Sequence, residues 1–291
     1  MVTAFAGLPN SERDQQSAKA VVIPVAFEVN PSSGTAQGPR AILDASQKIE
    51  HFDAELRIDP CRIGIATTEY FWDEAPFAHT EKIVGEVLDA GQFPIVLGGE
   101  HPLTLGAVRA CWKRHPDLAV VQIGACANLR ETDQDDPHSQ TSTMARIKDY
   151  HLPIVQVGIR SLSGGEMEWL DSQAGESHQV FWAKDFVQHA SESSWDVADV
   201  AAAVPTRPVY VTIGLDGLDP AILPATNTSE PGGLSWYALI KLMRTLMTTH
   251  DVIACDLMGL TPIPGSHYSD FLAARLVYKL IGYKFHHQLS Q

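Results

Sequence analysis

The sequence predicts an α/β protein built on a mainly parallel sheet. Short apolar runs alternate with longer segments of helical pattern through most of the chain. Several of these runs have no polar alternation, which is typical of strands that helices cover on both faces. Repeated strand–helix–strand order places the helices on the two faces of one sheet. We therefore expect a three-layer α/β/α sandwich with about eight strands.

The predicted elements follow one another without a repeat, a low-complexity tract or a linker. The predicted strands are Val21–Phe27, Arg62–Ala66, Phe93–Leu97, Ala119–Ile123, Ile154–Val157, Val180–Trp182, Val209–Ile213 and Val252–Asp256. The predicted helices are Pro39–Ile49, Thr80–Ala90, Leu103–His115, Glu166–Asp171, Ser194–Ala203, Ser235–Thr248 and Ser269–Tyr283. We expect an N-terminal extension over residues 1–20 and a single domain over residues 21–291.

Composition excludes several classes of partner and location. The 291 residues include 35 Asp and Glu against 21 Lys and Arg, a net charge of −14. Nucleic acids and anionic membranes both need a basic face, so neither is an expected partner. No apolar run approaches the roughly 18 residues of a membrane-spanning helix, and the first residues do not have the pattern of a secretory signal. The four cysteines form no C-x-x-C pair, so we expect reduced thiols in a cytoplasmic protein.

Candidate functional residues follow four of the predicted strands directly. In open parallel sheets, ligands bind outside the carboxyl ends of the strands. Four segments at such ends have unusual polar or glycine content: Gly98–Pro102, Gly124–Asn128, Gly214–Pro220 and Asp256–Gly259. We expect them to meet at one edge of the sheet.

Four sequence motifs, in this order and spacing, resemble those of the ureohydrolase family of arginases and agmatinases. They are GTAQGPRAIL (34–43), LGGEHPLT (97–104), VQVGIRS (155–161) and LDPAILPATNTSEPGGL (218–234). The resemblance runs from about Val21 to Tyr283 and implies an arginase-like fold. It also implies hydrolysis of a guanidinium group by a pair of Mn²⁺ or Ni²⁺ ions, which bridging Asp side chains hold and His side chains complete.

The chain departs from the family at most metal-ligand positions. His101 and Asp216 match ligands of the family. The positions of the other ligands are occupied by Gly124, Cys126, Asn128 and Gly214. Two close dications need bridging carboxylates, and none is left at these positions. We therefore expect no metal in this chain; a single Zn²⁺ held by His101, Cys126 and Asp216 is an alternative.

The family's catalytic positions are also substituted. The His used for substrate or proton transfer aligns with Gln140, although His138 is close in sequence. The late Glu that pairs with the guanidinium aligns with Gly259. Asp219 and Asp256 are acidic residues that we expect to border the cleft.

These residues lead to one main functional hypothesis and two alternatives. The main hypothesis is a degenerate ureohydrolase homologue, a non-catalytic or regulatory subunit in a trimer or hexamer, homomeric or with an active paralogue. The first alternative is an active, agmatinase-like hydrolase of C–N bonds in guanidino or amidine compounds with a rearranged metal site. The second is a small-molecule binding module. Whether the chain is an enzyme stays open at this point.

Overall fold

The strands of this chain form one all-parallel sheet. A computed structural model describes residues 3–9, 14–29, 32–71, 75–133, 135–173, 177–186 and 194–290. The strands in these ranges are β1 (Ala20–Pro24), β2 (Ile65–Thr67), β3 (Phe93–Leu97), β4 (Ala119–Ile123), β5 (Ile154–Ile159), β6 (His178–Trp182), β7 (Pro208–Gly214) and β8 (Asp251–Met258). Their order across the sheet is β2-β1-β3-β8-β7-β4-β5-β6, and every pair is parallel.

Helices cover both faces of the sheet. They are α1 (Gly38–Ser46), α2 (Pro76–Asp89), α3 (Thr104–Trp112), α4 (Thr143–Lys148), α5 (Gly164–Ser172), α6 (Val197–Ala203), α7 (Trp236–Thr249) and α8 (Tyr268–Leu289). Helices α1, α6, α7 and α8 pack on one face, and α2, α3, α4 and α5 pack on the other. The fold is therefore the predicted three-layer α/β/α sandwich.

Side-chain alternation along the strands divides the core between these two faces. In β1, Ala20 and Val22 belong to the core under α1 and α8, whereas Val21 and Ile23 belong to the core under α2 and α3. All four are fully buried or nearly so. Because each strand contributes to both cores, its sequence is a continuous apolar run.

One predicted strand differs from the structure, and one helix was not predicted. The first half of the predicted strand Arg62–Ala66 is a 3₁₀ turn, Pro60–Ile63, and β2 starts only at Ile65; Pro60 begins this turn with its fixed φ. Helix α4 was not predicted, because six residues are too short for a clear apolar period. Its first amides, on Met144 and Ala145, donate to the carbonyl of Asn128.

The described part of the N-terminal segment packs on the domain. The side chain of Phe5 is fully buried, and its amide donates to Thr67 Oγ1 over 2.9 Å. The amide of Ala6 donates to Ser46 Oγ over 2.9 Å. The boundary between an extension and a domain near residue 20 stays a prediction, and residues 1, 2 and 10–13 lie outside the described residues.

The helices of the described ranges include none with the length and apolar character needed to cross a membrane.

Replacing Phe5 by Ala should destabilise the fold. The ring is fully buried, so its removal leaves a cavity and should lower the free energy of unfolding by about 3–5 kcal/mol. The matched control is Phe52→Ala, because Phe52 is 58% exposed and should cost less than about 0.5 kcal/mol. Denaturant unfolding measures both. Equal losses for the two variants would show that the N-terminal segment does not pack as described.

Candidate functional site

The four glycine-rich and polar segments meet at the carboxyl ends of four adjacent strands, β3, β8, β7 and β4. The backbone joins two of them directly, since the Gly259 amide donates to the Gly99 carbonyl over 2.7 Å. A Cβ on Gly99 would lie 1.7 Å from the Phe27 carbonyl oxygen, so only glycine fits there. The predicted meeting of these segments at one edge is therefore present.

A small cavity lies where these segments meet. Its volume is about 10 Å³, which is room for about one water molecule. It is lined by Thr35, His101, Gln140, Gly214, Asp216, Thr226, Asn227, Thr228, Met258 and Gly259. Loop residues from the 218–234 segment thus close the space above the strand ends.

His101 is buried, and its imidazole is held by a strand hydroxyl. Its Nε2 lies 3.0 Å from Thr212 Oγ1, which in turn lies 3.3 Å from Thr104 Oγ1. Burial lowers the pKa of His101 to about 4. The ring is therefore neutral near pH 7, and one of its nitrogens is already engaged.

Asp256 extends this network beneath the cavity. Its Oδ2 accepts hydrogen bonds from Thr104 Oγ1 over 2.8 Å and from the Tyr210 hydroxyl over 2.6 Å. Burial raises the pKa of Asp256 to about 6. The sequence placed Asp256 at the border of the cleft; the structure places it fully buried between sheet and helix, because Asp256 pairs in register with Thr212 inside the strands.

Gly124 and Gly214, the two glycines at the expected carboxylate positions, lie near Asp216. A Cβ on Gly214 would lie 2.6 Å from Asp216 Oδ1 and 3.0 Å from His101 Cε1. A Cβ on Gly124 would lie 3.5 Å from Asp216 Oδ1. The Asp216 carboxylate therefore occupies space that a side chain at position 214 would need, whereas a Cβ at position 124 would be in ordinary contact with it.

The Asp216 carboxylate takes up a proton more readily than an ordinary Asp side chain. Burial raises its pKa to about 6, and the backbone amide of Ala125 and the charge of Arg160 oppose this rise. Its Oδ1 atom is buried and has no hydrogen-bond partner in the ranges that the structure describes. A single, partly desolvated carboxylate thus stands at this edge of the sheet.

The surroundings of Cys126 and Asn128 indicate that both residues serve the fold. Burial, and secondarily the charge of Asp216, raises the pKa of the Cys126 thiol to about 12, so it is not a thiolate at neutral pH. Asn128 is buried with a φ of 55°, a conformation that Asn tolerates, and its carbonyl receives the first amides of α4.

Gln140, and not His138, lies at the cavity. His138 stacks on Phe77 with ring centroids 5.6 Å apart and lines a separate depression with Arg109 and Tyr150. Gly259 also lines the cavity, with a φ of 86° and open space where a Cβ would point. A glutamate at 259 would have room but a strained backbone.

The loop over the site is fixed by Asp219 and Arg160. Asp219 accepts from the amides of Ala221 over 2.8 Å and Gly232 over 2.9 Å, and these amides hold its pKa below the usual range. The Arg160 guanidinium donates to the Asp216 carbonyl over 2.8 Å and to the Glu230 carbonyl over 2.6 Å. Both side chains hold the backbone of this loop in place. The sequence patterns did not indicate this role for Arg160.

The donors at this edge do not fit a pair of metal ions. Across the described ranges, no three His, Cys, Asp or Glu side chains converge as a metal-binding group. His101, Cys126 and Asp216, the proposed zinc ligands, are included in that finding. Gly124 and Gly214, the positions where the family resemblance leads us to expect bridging carboxylates, carry no side chain.

Thr212, the partner of His101, and the residues linked to it through Thr104 were missed by sequence reasoning. Thr212 and Tyr210 lie within β7, and Asp256 lies within β8, both of which have mainly apolar sequences. Three polar residues facing one core from two buried strands are the signal that could have indicated a buried network.

Comparisons with known proteins agree with the motifs. A family model described as "Arginase family" matches residues 18–282. The chain is 36% identical over 279 residues to an N(1)-aminopropylagmatine ureohydrolase of Synechocystis, covering 91% of this chain and 89% of that protein. It is 30% identical over 255 residues to an agmatinase of Bacillus anthracis, covering 83% of this chain and 82% of that protein.

A solved structure shares the whole fold. The agmatine ureohydrolase of Thermoplasma volcanium superposes with a TM-score of 0.86 at 26% sequence identity, covering 100% of this chain and 97% of that chain.

A methyl group at position 214 should destabilise the protein more than one at position 124. In Gly214→Ala the new Cβ would lie 2.6 Å from Asp216 Oδ1, and the forced shift should cost about 1–3 kcal/mol of unfolding free energy. In the matched variant Gly124→Ala the nearest atom is Gln122 Nε2 at 3.2 Å, so we expect a loss below about 1 kcal/mol. Denaturant unfolding compares the two. A smaller loss for Gly214→Ala would contradict the packing described here.

Replacing Asp256 by Asn should change how stability depends on pH. Because the pKa of Asp256 rises to about 6 on folding, the folded chain holds more protons than the unfolded chain between about pH 4 and pH 6, and this group makes stability fall as the pH rises. Asp256→Asn removes that fall. We compare the unfolding free energy of Asp256→Asn with that of the unaltered chain at each pH. The difference, variant minus unaltered chain, should rise by up to about 3 kcal/mol between pH 4 and pH 7.

The control for this measurement is Asp171→Asn, which changes an exposed carboxylate. Its difference from the unaltered chain should stay nearly constant over the same pH range. A constant difference for Asp256→Asn as well would mean that Asp256 titrates normally in the folded state.

Proposed function

We propose, from the premise that this chain belongs to the arginase family, that it keeps the ureohydrolase fold while its cleft does not perform two-metal hydrolysis. The observation that carries this proposal is the packing at positions 124 and 214. Both lack a side chain, and the remaining Asp216 carboxylate fills the space beside them. Two dications placed there would meet one carboxylate and neutral donors, which leaves most of their mutual repulsion uncompensated.

The finer part of the proposal is a non-catalytic or regulatory role beside an active relative. It rests on the retained motifs around Gly38, Arg160 and Asp219, which hold the fold and the loop over the site together through protein contacts. The relatives are named as enzymes, and their names give no support to a regulatory role. Assembly as a trimer or hexamer and a cytoplasmic location stay predictions.

The relatives favour a second candidate, hydrolysis of C–N bonds in guanidino compounds. They are named as an N(1)-aminopropylagmatine ureohydrolase and an agmatinase, and the first covers most of this chain at 36% identity. Hydrolysis here would need a rearranged site around His101 and Asp216. The neutral His101 and the raised pKa of Asp216 are compatible with proton transfer to or from a substrate.

Ligand binding in the cavity itself has less support. The cavity holds about 10 Å³, and a guanidino compound needs a pocket many times larger. The loop residues Thr226, Asn227 and Thr228 would first have to move away from the strand ends.

Metal content and urea release measured together test the two candidates. The chain is purified with Mn²⁺, Ni²⁺ and Zn²⁺ present, analysed for bound metal by mass spectrometry, and assayed with agmatine and N(1)-aminopropylagmatine. The Synechocystis relative, prepared identically, is the control. Our first candidate expects well under one metal ion per chain and no urea above the blank.

The other possible results of these measurements decide between the two candidates. Two metal ions per chain with urea release would overturn the first candidate. Urea release with one metal ion or none would favour the second candidate with a rearranged site. A regulatory role further expects that co-expression with an active relative changes the yield or rate of that enzyme, and an unchanged yield and rate would count against it.

A further inference from the structure

A concave depression lies between helices α3 and α4, apart from the strand-end cavity. Its volume is about 220 Å³, which is room for an ion or a very small organic acid rather than for a larger ligand. We call it the α3–α4 depression. Its lining includes Phe77 of α2, Leu105 and Arg109 of α3, Arg146 of α4, and Asp149 and Tyr150, which follow α4. These six residues are absent from the lining of the strand-end cavity, so a ligand here would bind outside the site already described.

The α3 wall of the depression has an excess of positive charge. Arg109 Nε lies 3.3 Å from Glu81 Oε2, and Lys113 pairs with the other oxygen of the same carboxylate. One carboxylate is therefore shared between two cations. Glu81 is close only to the Nε of Arg109, so the two Nη groups of that guanidinium stay available on the other side.

The α4 wall repeats this arrangement. The carboxylate of Glu131 lies 2.6 Å from Arg146 Nη2 and 2.7 Å from Lys148 Nζ. Asp149 offsets part of the charge, because its Oδ2 lies 3.4 Å from Arg146 Nε. In the ion pairs of the two walls, four cationic side chains accompany three carboxylates. The depression is thus locally positive on a chain whose net charge is −14, and such a region attracts anions.

Two hydrogen-bond donors of the depression can be reached from solvent. The side chain of Arg109 is 48% exposed, and its Nη groups donate to no other residue in the described ranges. The hydroxyl of Tyr150 also has no partner in those ranges, yet it is not among their enclosed unpartnered atoms, so it is open to solvent. Burial raises the pKa of Tyr150, so the hydroxyl keeps its proton near pH 7. Its ring is held by stacking on Trp112, with centroids 4.8 Å apart.

We propose that the α3–α4 depression binds a small oxyanion, a phosphate or a carboxylate, that accepts hydrogen bonds from the Arg109 guanidinium and the Tyr150 hydroxyl. A planar guanidinium presents parallel N–H groups that match two oxygens of such an anion. Arg146 adds positive charge rather than a contact through its Nε, because that atom is enclosed and its Nη2 donates to Glu131. This inference depends on the depression alone and not on the proposed function.

The apolar part of the lining strengthens these contacts. Leu105 is buried, and Phe77 is partly buried at the start of α2. Apolar walls lower the local dielectric constant, and an ionic hydrogen bond is worth more there than on an open surface. The depression therefore differs from a flat group of surface cations, whose ion pairs contribute little.

Calorimetric titration of the full chain at constant ionic strength tests the proposal. The probes are inorganic phosphate and malonate, which represent the two kinds of oxyanion. Sodium chloride keeps the ionic strength constant, because a spherical ion cannot accept a forked pair of hydrogen bonds. We expect heat of binding from at least one probe, with a dissociation constant of about 1 mM or tighter. Tighter binding of phosphate would identify a tetrahedral ligand, and tighter binding of malonate would identify a carboxylate.

Variants of the two donors locate the binding. Arg109→Gln should weaken it at least about tenfold, because hydrogen bonds to a charged group are lost. Arg109→Lys keeps the charge without the fork and should weaken it less than Arg109→Gln does. Tyr150→Phe removes one hydroxyl and should weaken it about threefold. The matched control is Arg40→Gln, which removes an ion-paired arginine of similar exposure, 53%, from α1 and should leave the affinity unchanged.

Four results would overturn the proposal. One is the absence of heat from both probes at about 10 mM, far above the expected dissociation constant. Two others are unchanged affinity in Arg109→Gln and unchanged affinity in Tyr150→Phe. The last is an equal loss in Arg109→Gln and Arg40→Gln, which would show that the anion responds to net charge and not to the depression. Arg109 lies on the surface, so its replacements should stay folded.

Discussion

The absence of side chains at two neighbouring strand ends determines the rest of this site. Because Gly214 has no Cβ, the Asp216 carboxylate can lie directly against this strand end, and Gly124 leaves open space beside it. His101 can then direct its Nε2 to Thr212. In this arrangement His101 and Asp216 are held by the protein itself, through Thr212 and through the backbone amide of Ala125.

The charge of the site follows from this constraint. Burial leaves His101 neutral and raises the pKa of both Asp216 and Asp256 towards the neutral range. Burial of unpaired charges is costly, and hydrogen bonds from Thr104 and Tyr210 to Asp256 reduce that cost. The site is thus a buried, hydrogen-bonded region in which both carboxylates take up a proton more readily than an ordinary Asp.

The sequence predicted the fold well because its strands are buried on both faces. All eight predicted strands are present, since a strand such as β3 is apolar along its whole length and leaves little ambiguity. The short helix α4 was missed, as its start depends on the carbonyl of Asn128, a contact across a turn that no periodicity reveals. The meeting of the four segments was predicted for a general reason, the common edge of parallel strand ends.

The network around His101 could not be predicted in the same way. It depends on the register that places Thr212 beside Asp256, and on Thr104 of α3 approaching both. The two cores lie in the layers between sheet and helices, whereas the substituted ligand positions lie at the strand ends, outside most of that apolar packing. The fold therefore depends little on the side chains at these strand ends, which agrees with a TM-score of 0.86 to an agmatine ureohydrolase at only 26% sequence identity.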